Sequence, residues 1–211
     1  MYSFGTVLVA VPAPVEHVEV FATLPRLREL IAGPLGTRGD VLAGYALPQD
    51  LRLLQQASQV QLATFAMLAT SPELRSVDVS EGTFAALADR LRTGLGDAIR
   101  RNEGEMAAAV SDFGKQVGGN LVLQDRASVG VFDDAPGRIG VLIAARYSIN
   151  SATVSVLIAN TILRVRDRLL FAYMYTWNLQ PDGMAALTTR ARAWTDSIFE
   201  ANRPTPPRPG R

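Results

Sequence analysis

Residues 138–202 hold three apolar segments separated by short turns and then one amphipathic helix, and few folds accommodate that order. Consecutive strands joined by short turns pair antiparallel, and a sheet with an apolar face needs a helix to cover it. The spacing predicts strands at 140–147, 153–165 and 169–177, the last two turning at Arg166-Asp167. A strand at 128–132 precedes them, joined to 140–147 around the polar turn Asp133-Asp134-Ala135-Pro136-Gly137. In the last strand Phe171, Tyr173, Tyr175 and Trp177 alternate with Ala172, Met174 and Thr176, so one face is bulky and the other small. The terminal helix, 182–200, sets Met184, Leu187, Ala191, Trp194 and Ile198 on one stripe, which is expected to dock on the sheet.

Toward the N-terminus, the β-branched run 6–11 reads as a strand closed by Pro12 and Pro14. Leu24, Leu27, Leu30 and Ile31 then recur at helical spacing until Gly33-Pro34. A strand at 40–47 leads into a short helix opened by Pro48, and the apolar run 60–69 suits a central strand buried on both faces. Ser80 is placed as the N-cap of a helix carrying Phe84, Leu87, Leu91 and Leu95 on one stripe, weakened later by Gly94 and Gly96. A second helix follows Asn102-Glu103-Gly104, with Met106, Val110 and Phe113 on its apolar side, and ends at Gly118-Gly119-Asn120. This order predicts an α+β fold, a mainly antiparallel sheet flanked by helices. Its expected organisation is a single α/β sandwich domain over 1–202, with a helical insertion at about 80–117 and a disordered Pro/Arg tail at 203–211.

Charge and composition exclude several function classes. Lys plus Arg number 21 against 20 for Asp plus Glu, a formal net charge of +1 that creates no global field for nucleic acid. With no cysteine, the chain has no disulfide, thiolate metal site or cysteine nucleophile. The apolar run 7–11 is too short to span a bilayer and follows no basic segment, so neither an integral membrane protein nor a signal peptide is read.

Two stretches resemble a known group. Asp40-Val-Leu-Ala-Gly-Tyr-Ala-Leu-Pro-Gln-Asp50-Leu, and Leu163-Arg-Val-Arg-Asp-Arg-Leu-Leu-Phe-Ala-Tyr-Met-Tyr175 leading to the Trp-bearing helix that ends in Ala201-Asn202, are similar to uncharacterised bacterial envelope proteins. The architecture resembles the Mog1/PsbP-like sandwich. That resemblance implies an accessory subunit, chaperone, immunity factor or adaptor, in the periplasm or exported, and carries over no catalytic residue.

The chemical candidates are sparse. His17 is the single histidine and reads as an ordinary surface or edge residue. Asp133-Asp134 precedes a Pro-Gly turn and reads as solvated, while Glu103 and Glu105, two apart, do not share a helix face. The segment 114–120 contains glycines and Lys115 but lacks the strand, spacing and Lys-Ser/Thr ending of a phosphate loop. Ser3, Ser58, Ser71 and Ser128 stand in no nucleophile-elbow context. The aromatic row reads as core beside the helix of Trp194, with its outer end reaching solvent and Arg164, Arg166 and Arg168 flanking it.

Two readings of function follow. The first is a non-enzymatic binding or accessory protein of the bacterial cell envelope that contacts a protein partner or small apolar ligand in a groove between sheet and helices. It takes Tyr173, Tyr175 and Trp177 as ligand-binding residues and needs no cofactor. The second is an enzyme or metal-dependent protein in which Asp125, Asp133, Asp134 and Asp167 converge in space. A sheet edge or the helices at 80–117 would serve a homodimer under either reading.

Overall fold

A computed structural model describes residues 1–25, 27–28, 40–56, 64–101, 103–116, 120–150 and 152–204. Within them β1 (Tyr2–Phe4) and β2 (Val7–Val9) form a separate antiparallel hairpin. A seven-stranded antiparallel sheet follows from β3 (Val18–Glu19), β4 (Asp40–Ala46), β5 (Thr64–Thr70), β6 (Leu121–Ala135), β7 (Arg138–Ile149), β8 (Ala152–Val165) and β9 (Arg168–Thr176). Its strand order is β3-β4-β5-β9-β8-β7-β6. The helices are α1 (Pro48–Gln56), α2 (Glu81–Arg101), α3 (Glu103–Gln116) and α4 (Pro181–Ala201). The fold is α+β, with the antiparallel sheet flanked by helices that the sequence predicts.

Each element has a local cause. All seven residues of β5 are buried, because the strand lies between β4 and β9 with both faces covered. The strand begins at Thr64, and residues 60–63 of the expected run lie outside the described residues. Ser80 caps α2 by accepting the Thr83 N–H at 3.1 Å, and Gly94 leaves helical geometry at φ −126°, so the later turns form a kinked continuation. Of the helix expected from Leu24 to Ile31, residues 25, 27 and 28 are helical and 29–31 lie outside the described residues. The same holds for 205–211 of the expected tail.

The β6–β7 hairpin departs from expectation in length and turn. The strands run to 15 and 12 residues, and Asp133 and Asp134 belong to β6, leaving Pro136-Gly137 as the turn, with Gly137 at φ +79°. β6 ends the sheet with one side unpaired by any described strand, so polar residues such as Gln124 and Asp125 are tolerated and the alternation that marks a half-buried strand is blurred. Register shifts at Leu123/Asp125, Ser128/Gly130 and Val131/Asp133 add bulges that blur it further.

The two sheet faces receive different helices. On the small face, Leu187, Ala191, Trp194 and Ile198 of α4 pack with Tyr45, Ala172, Met174 and the β1–β2 hairpin residues Phe4 and Val9. Trp194 meets Tyr45 edge-on at 5.6 Å between ring centroids and donates its indole N–H to the Pro12 carbonyl at 2.9 Å. In the first turn of α4 the buried residue is Gly183, and Met184 is exposed. A Cβ on Gly183 would stand 2.5 Å from the Asn178 backbone oxygen, so only glycine fits that turn. The aromatic row of β9 faces the other way, against α2, α3 and the segments around Phe21 and α1. Its expected place beside the Trp194 helix is therefore corrected: alternation separates the two faces, but the helix goes to the small one, where its own bulky side chains find room.

The three arginines around the β8–β9 turn hold loops together at the end of the sheet away from Trp177. Arg164 donates from Nε to Val79 O at 2.6 Å, Arg166 to Leu8 O at 2.8 Å, and Arg168 to Phe4 O at 3.2 Å while pairing with Asp78. They are staples for the N-terminal hairpin and the segment before α2, at the opposite end of β9 from the aromatic tip.

Candidate functional site

The aromatic face of the sheet is covered in two patches. Over β6, β7 and β8, Leu95 and Ile99 of α2 and Val110 of α3 bury Val141, Ile143, Ala145, Val156 and Ile158. Over β4 and β5, Val20 and Phe21, with Leu27 and Leu51 beside them, bury Val41, Ala46, Phe65 and Met67. Tyr173 and Tyr175 belong to the margins of both patches, and Trp177 to the margin of the first. All three are half-buried. They lie on the strip of the sheet between the two patches, which is where β9 sits in the strand order.

Strand pairing defines this strip row by row, since directly paired residues share a face. Tyr175 pairs with Ile158 on one side and Phe65 on the other, and Ile158 pairs with Ile143. Tyr173 pairs with Asn160 and Met67. The rings of Tyr173 and Tyr175 stack at 6.3 Å and 18°, and Phe65 tilts against Tyr175 at 6.4 Å. One row outward, Arg126 of β6 pairs with Ala145, which pairs with Val156. Tyr147, two residues beyond Ala145, stands on the same face. Arg126, Tyr147 and Asn160 are half-buried as well.

Of the polar side-chain atoms along this strip, Asn160 Oδ1 is the one buried without a partner among the described residues. Among the same residues the hydroxyls of Tyr147, Tyr173 and Tyr175 make no hydrogen bond and Arg126 makes no ion pair. Burial raises the pKa of all three phenols, that of Tyr173 to about 12, and Arg126 opposes the rise in each. For Tyr175 the neighbouring phenols Tyr173 and Tyr147 add to the rise. Tyr173, Tyr175 and Trp177 were legible in the sequence as a row. Arg126 and Tyr147 were not, because only the β6–β7–β8–β9 register brings them to that row.

A concavity of about 250 Å³ lies at the start of α4, lined by Thr64, Met174, Thr176, Asp182, Leu187 and Arg190 among others. His17 stands behind its wall. The ring is buried, contrary to the surface position expected of it, because Thr64 on β5 gives it a partner 47 residues away in sequence. Nδ1 lies 2.8 Å from the Val15 carbonyl, which can only accept, so Nδ1 carries the proton and Nε2 accepts from Thr64 Oγ1 at 3.0 Å. Burial lowers the His17 pKa, the Val15 bond opposes this, and Arg190 lowers it further.

The four aspartates of the catalytic reading are not brought together. Asp133 lies on the α4 face of β6, largely buried, with its Oδ2 2.9 Å from Arg138 Nε. That contact is an ion pair without good hydrogen-bond alignment. Asp134 points to the opposite face, where Arg92 of α2 grips it at 2.6 and 2.8 Å and holds its carboxyl below the usual range. Asp125 is exposed, and Asp167 pairs with Arg164 at the far turn. The solvated turn expected for Asp133-Asp134 is thus replaced by two arginine pairs on two faces. Among the described residues no group of three His, Asp or Glu side chains is arranged to hold a metal ion, and no helix is long and apolar enough to cross a membrane.

No protein-family model matches the chain, and no curated protein does. Among solved structures it is similar to a Pseudomonas aeruginosa protein of unknown function, PA94, for which a regulatory role is suggested. The identity is 13%, over 74% of this chain and 80% of that one, with a TM-score of 0.23. A likeness at that level carries no argument about fold or role.

Proposed function

We propose that this protein is a non-enzymatic binding module that takes an apolar ligand, or an apolar segment of a protein partner, over the strip of sheet that carries Tyr173, Tyr175 and Trp177. One observation carries the reading. An aromatic row on a central strand is half-buried between two packed patches, with its hydroxyls unpartnered among the described residues. Aromatic rings with a polar tip suit a surface that is covered part of the time, since they lose little side-chain entropy on contact and bury a large area. The likeness of the segments starting at Asp40 and Leu163 to bacterial envelope proteins supports an accessory role in that compartment.

The test is titration with N-phenyl-1-naphthylamine, a neutral apolar dye that fluoresces on leaving water. Saturable binding is expected, weakened at least tenfold in Tyr175→Ala and in Trp177→Ala. Absence of binding, or binding that both substitutions leave unchanged, would sink the reading.

A further inference from the structure

We infer that the concavity at the start of α4 is a binding site for a free α-amino acid with an apolar side chain, its carboxylate on Arg190 and its ammonium on Asp182. The site is on the α4 face of the sheet, across it from Tyr173, Tyr175 and Trp177, so it is separate from the aromatic strip.

The cavity forms where the ends of two strands meet the first turns of α4. Thr64 of β5 pairs directly with Thr176 of β9, so both stand on one face, which they share with Met174 two residues along β9. Asp182, Ala186, Leu187 and Arg190 recur at the spacing of one helix face and close the other side. The space enclosed is about 250 Å³.

The charges of α4 set this opening apart. Arg192 donates to Phe132 O and covers the Phe132 ring, Asp196 pairs with Arg138, and Glu200 pairs with Arg203. Asp182 and Arg190 make no ion pair or hydrogen bond among the described residues, and these two line the cavity. Eight residues apart, they stand about 12 Å from each other along the helix axis, and the arginine stem leans back toward Asp182. The opening therefore offers a cation and an anion that are not spent on each other.

That pair decides the ligand class. A lone anion on Arg190 would also meet the field of Asp182, and a lone cation on Asp182 that of Arg190, so a molecule with one charge of each sign is favoured over either. Thr64 adds a hydrogen-bond preference. Its hydroxyl proton is committed to His17 Nε2, which leaves its oxygen to accept on the cavity wall, and an ammonium has N–H groups to spare beyond the one that Asp182 takes. Size narrows the choice further: about 250 Å³ falls below the roughly 300–1,000 Å³ of sites for drug-sized ligands, which suits a single amino acid. Met174, Ala186 and Leu187 give its side chain an apolar wall.

The experiment is calorimetric titration of the full chain at pH 7.5 with L-leucine, L-leucinamide, which lacks the carboxylate, and N-acetyl-L-leucine, which lacks the ammonium. Leucine is expected to bind saturably and at least tenfold tighter than either analogue. Arg190→Gln should bring leucine down to the level of leucinamide, and Asp182→Asn should bring it down to the level of N-acetyl-leucine. Both side chains are exposed, so the variants are expected to fold; should one fail, the three ligands on the wild-type chain decide alone. No binding of leucine, equal binding of leucine and either analogue, or a preference for leucine that survives both substitutions would overturn the assignment. Displacement of N-phenyl-1-naphthylamine by leucine would also overturn it, by putting both ligands at one place, whereas failure of the dye alone would sink the aromatic-strip reading and leave this one standing.

Discussion

His17 illustrates how a single side chain couples stability to pH. The folded ring is held neutral by burial, while in the unfolded chain it titrates at its ordinary value of 6.5. Below pH 6.5 the unfolded chain therefore binds a proton that the folded chain resists, so this contribution is complete above 6.5 and is lost progressively as the pH falls. The melting temperature is expected to drop more steeply between pH 6.5 and 5 in the wild type than in His17→Gln; parallel curves would refute this. The phenols act at the other end of the scale. With Tyr173 pushed up to about 12 and Tyr175 raised well above 10, the folded chain keeps protons that the unfolded chain gives up above pH 10, so stability falls as the pH rises past 10. Absorbance at 295 nm should show a late-ionising class of tyrosines that merges with the others on adding denaturant. Arg168 is a third case, a buried guanidinium donating to Phe4 O. Arg168→Ala leaves that carbonyl unpaired and is expected to cost roughly 2–3 kcal/mol by urea denaturation.

Among the elements, the β8–β9 turn stores strain that a substitution can release. Arg166 and Asp167 stand at φ +50° and +62°, the left-handed pair that closes a two-residue hairpin and that glycine or asparagine adopts more easily. Asp167→Gly is expected to raise stability by about 1 kcal/mol, less the exposed pair with Arg164, as read by urea denaturation. A loss instead would mean that the Asp167–Arg164 contact matters more than the backbone. This turn was legible in the sequence because its flanks alternate so clearly. β6 was legible only in part: its inner half shows a pattern, but an edge strand with three register shifts no longer keeps a period of two. α4 was legible as a stripe, except where close approach to Asn178 makes Gly183 the buried residue of the first turn.

For the whole molecule, the sheet acts as a partition between two environments. Trp194 is 2% exposed on the α4 face, and Trp177 is half-buried on the other. Iodide should quench the emission of Trp177 and spare that of Trp194, so Trp177→Phe is expected to leave blue-shifted, largely unquenched fluorescence. Which face each helix covers could not be read from periodicity, which assigns residues to sides without saying what lies opposite. The candidate site shows the same limit: Tyr173, Tyr175 and Trp177 follow from alternation along one strand, whereas Arg126 and Tyr147 join them through pairings across four strands. That long-range pairing also governs how the molecule can be made. β5 is apolar on both faces, and its neighbour β9 begins at Arg168, roughly a hundred residues later. On the ribosome, at about 5–20 residues per second, β4 and β5 emerge first and must wait several seconds for the strand that completes them. During that interval the stickiest segment of the chain has one open side, so a chaperone that holds β5 until the C-terminal strands appear would raise the yield of folded protein.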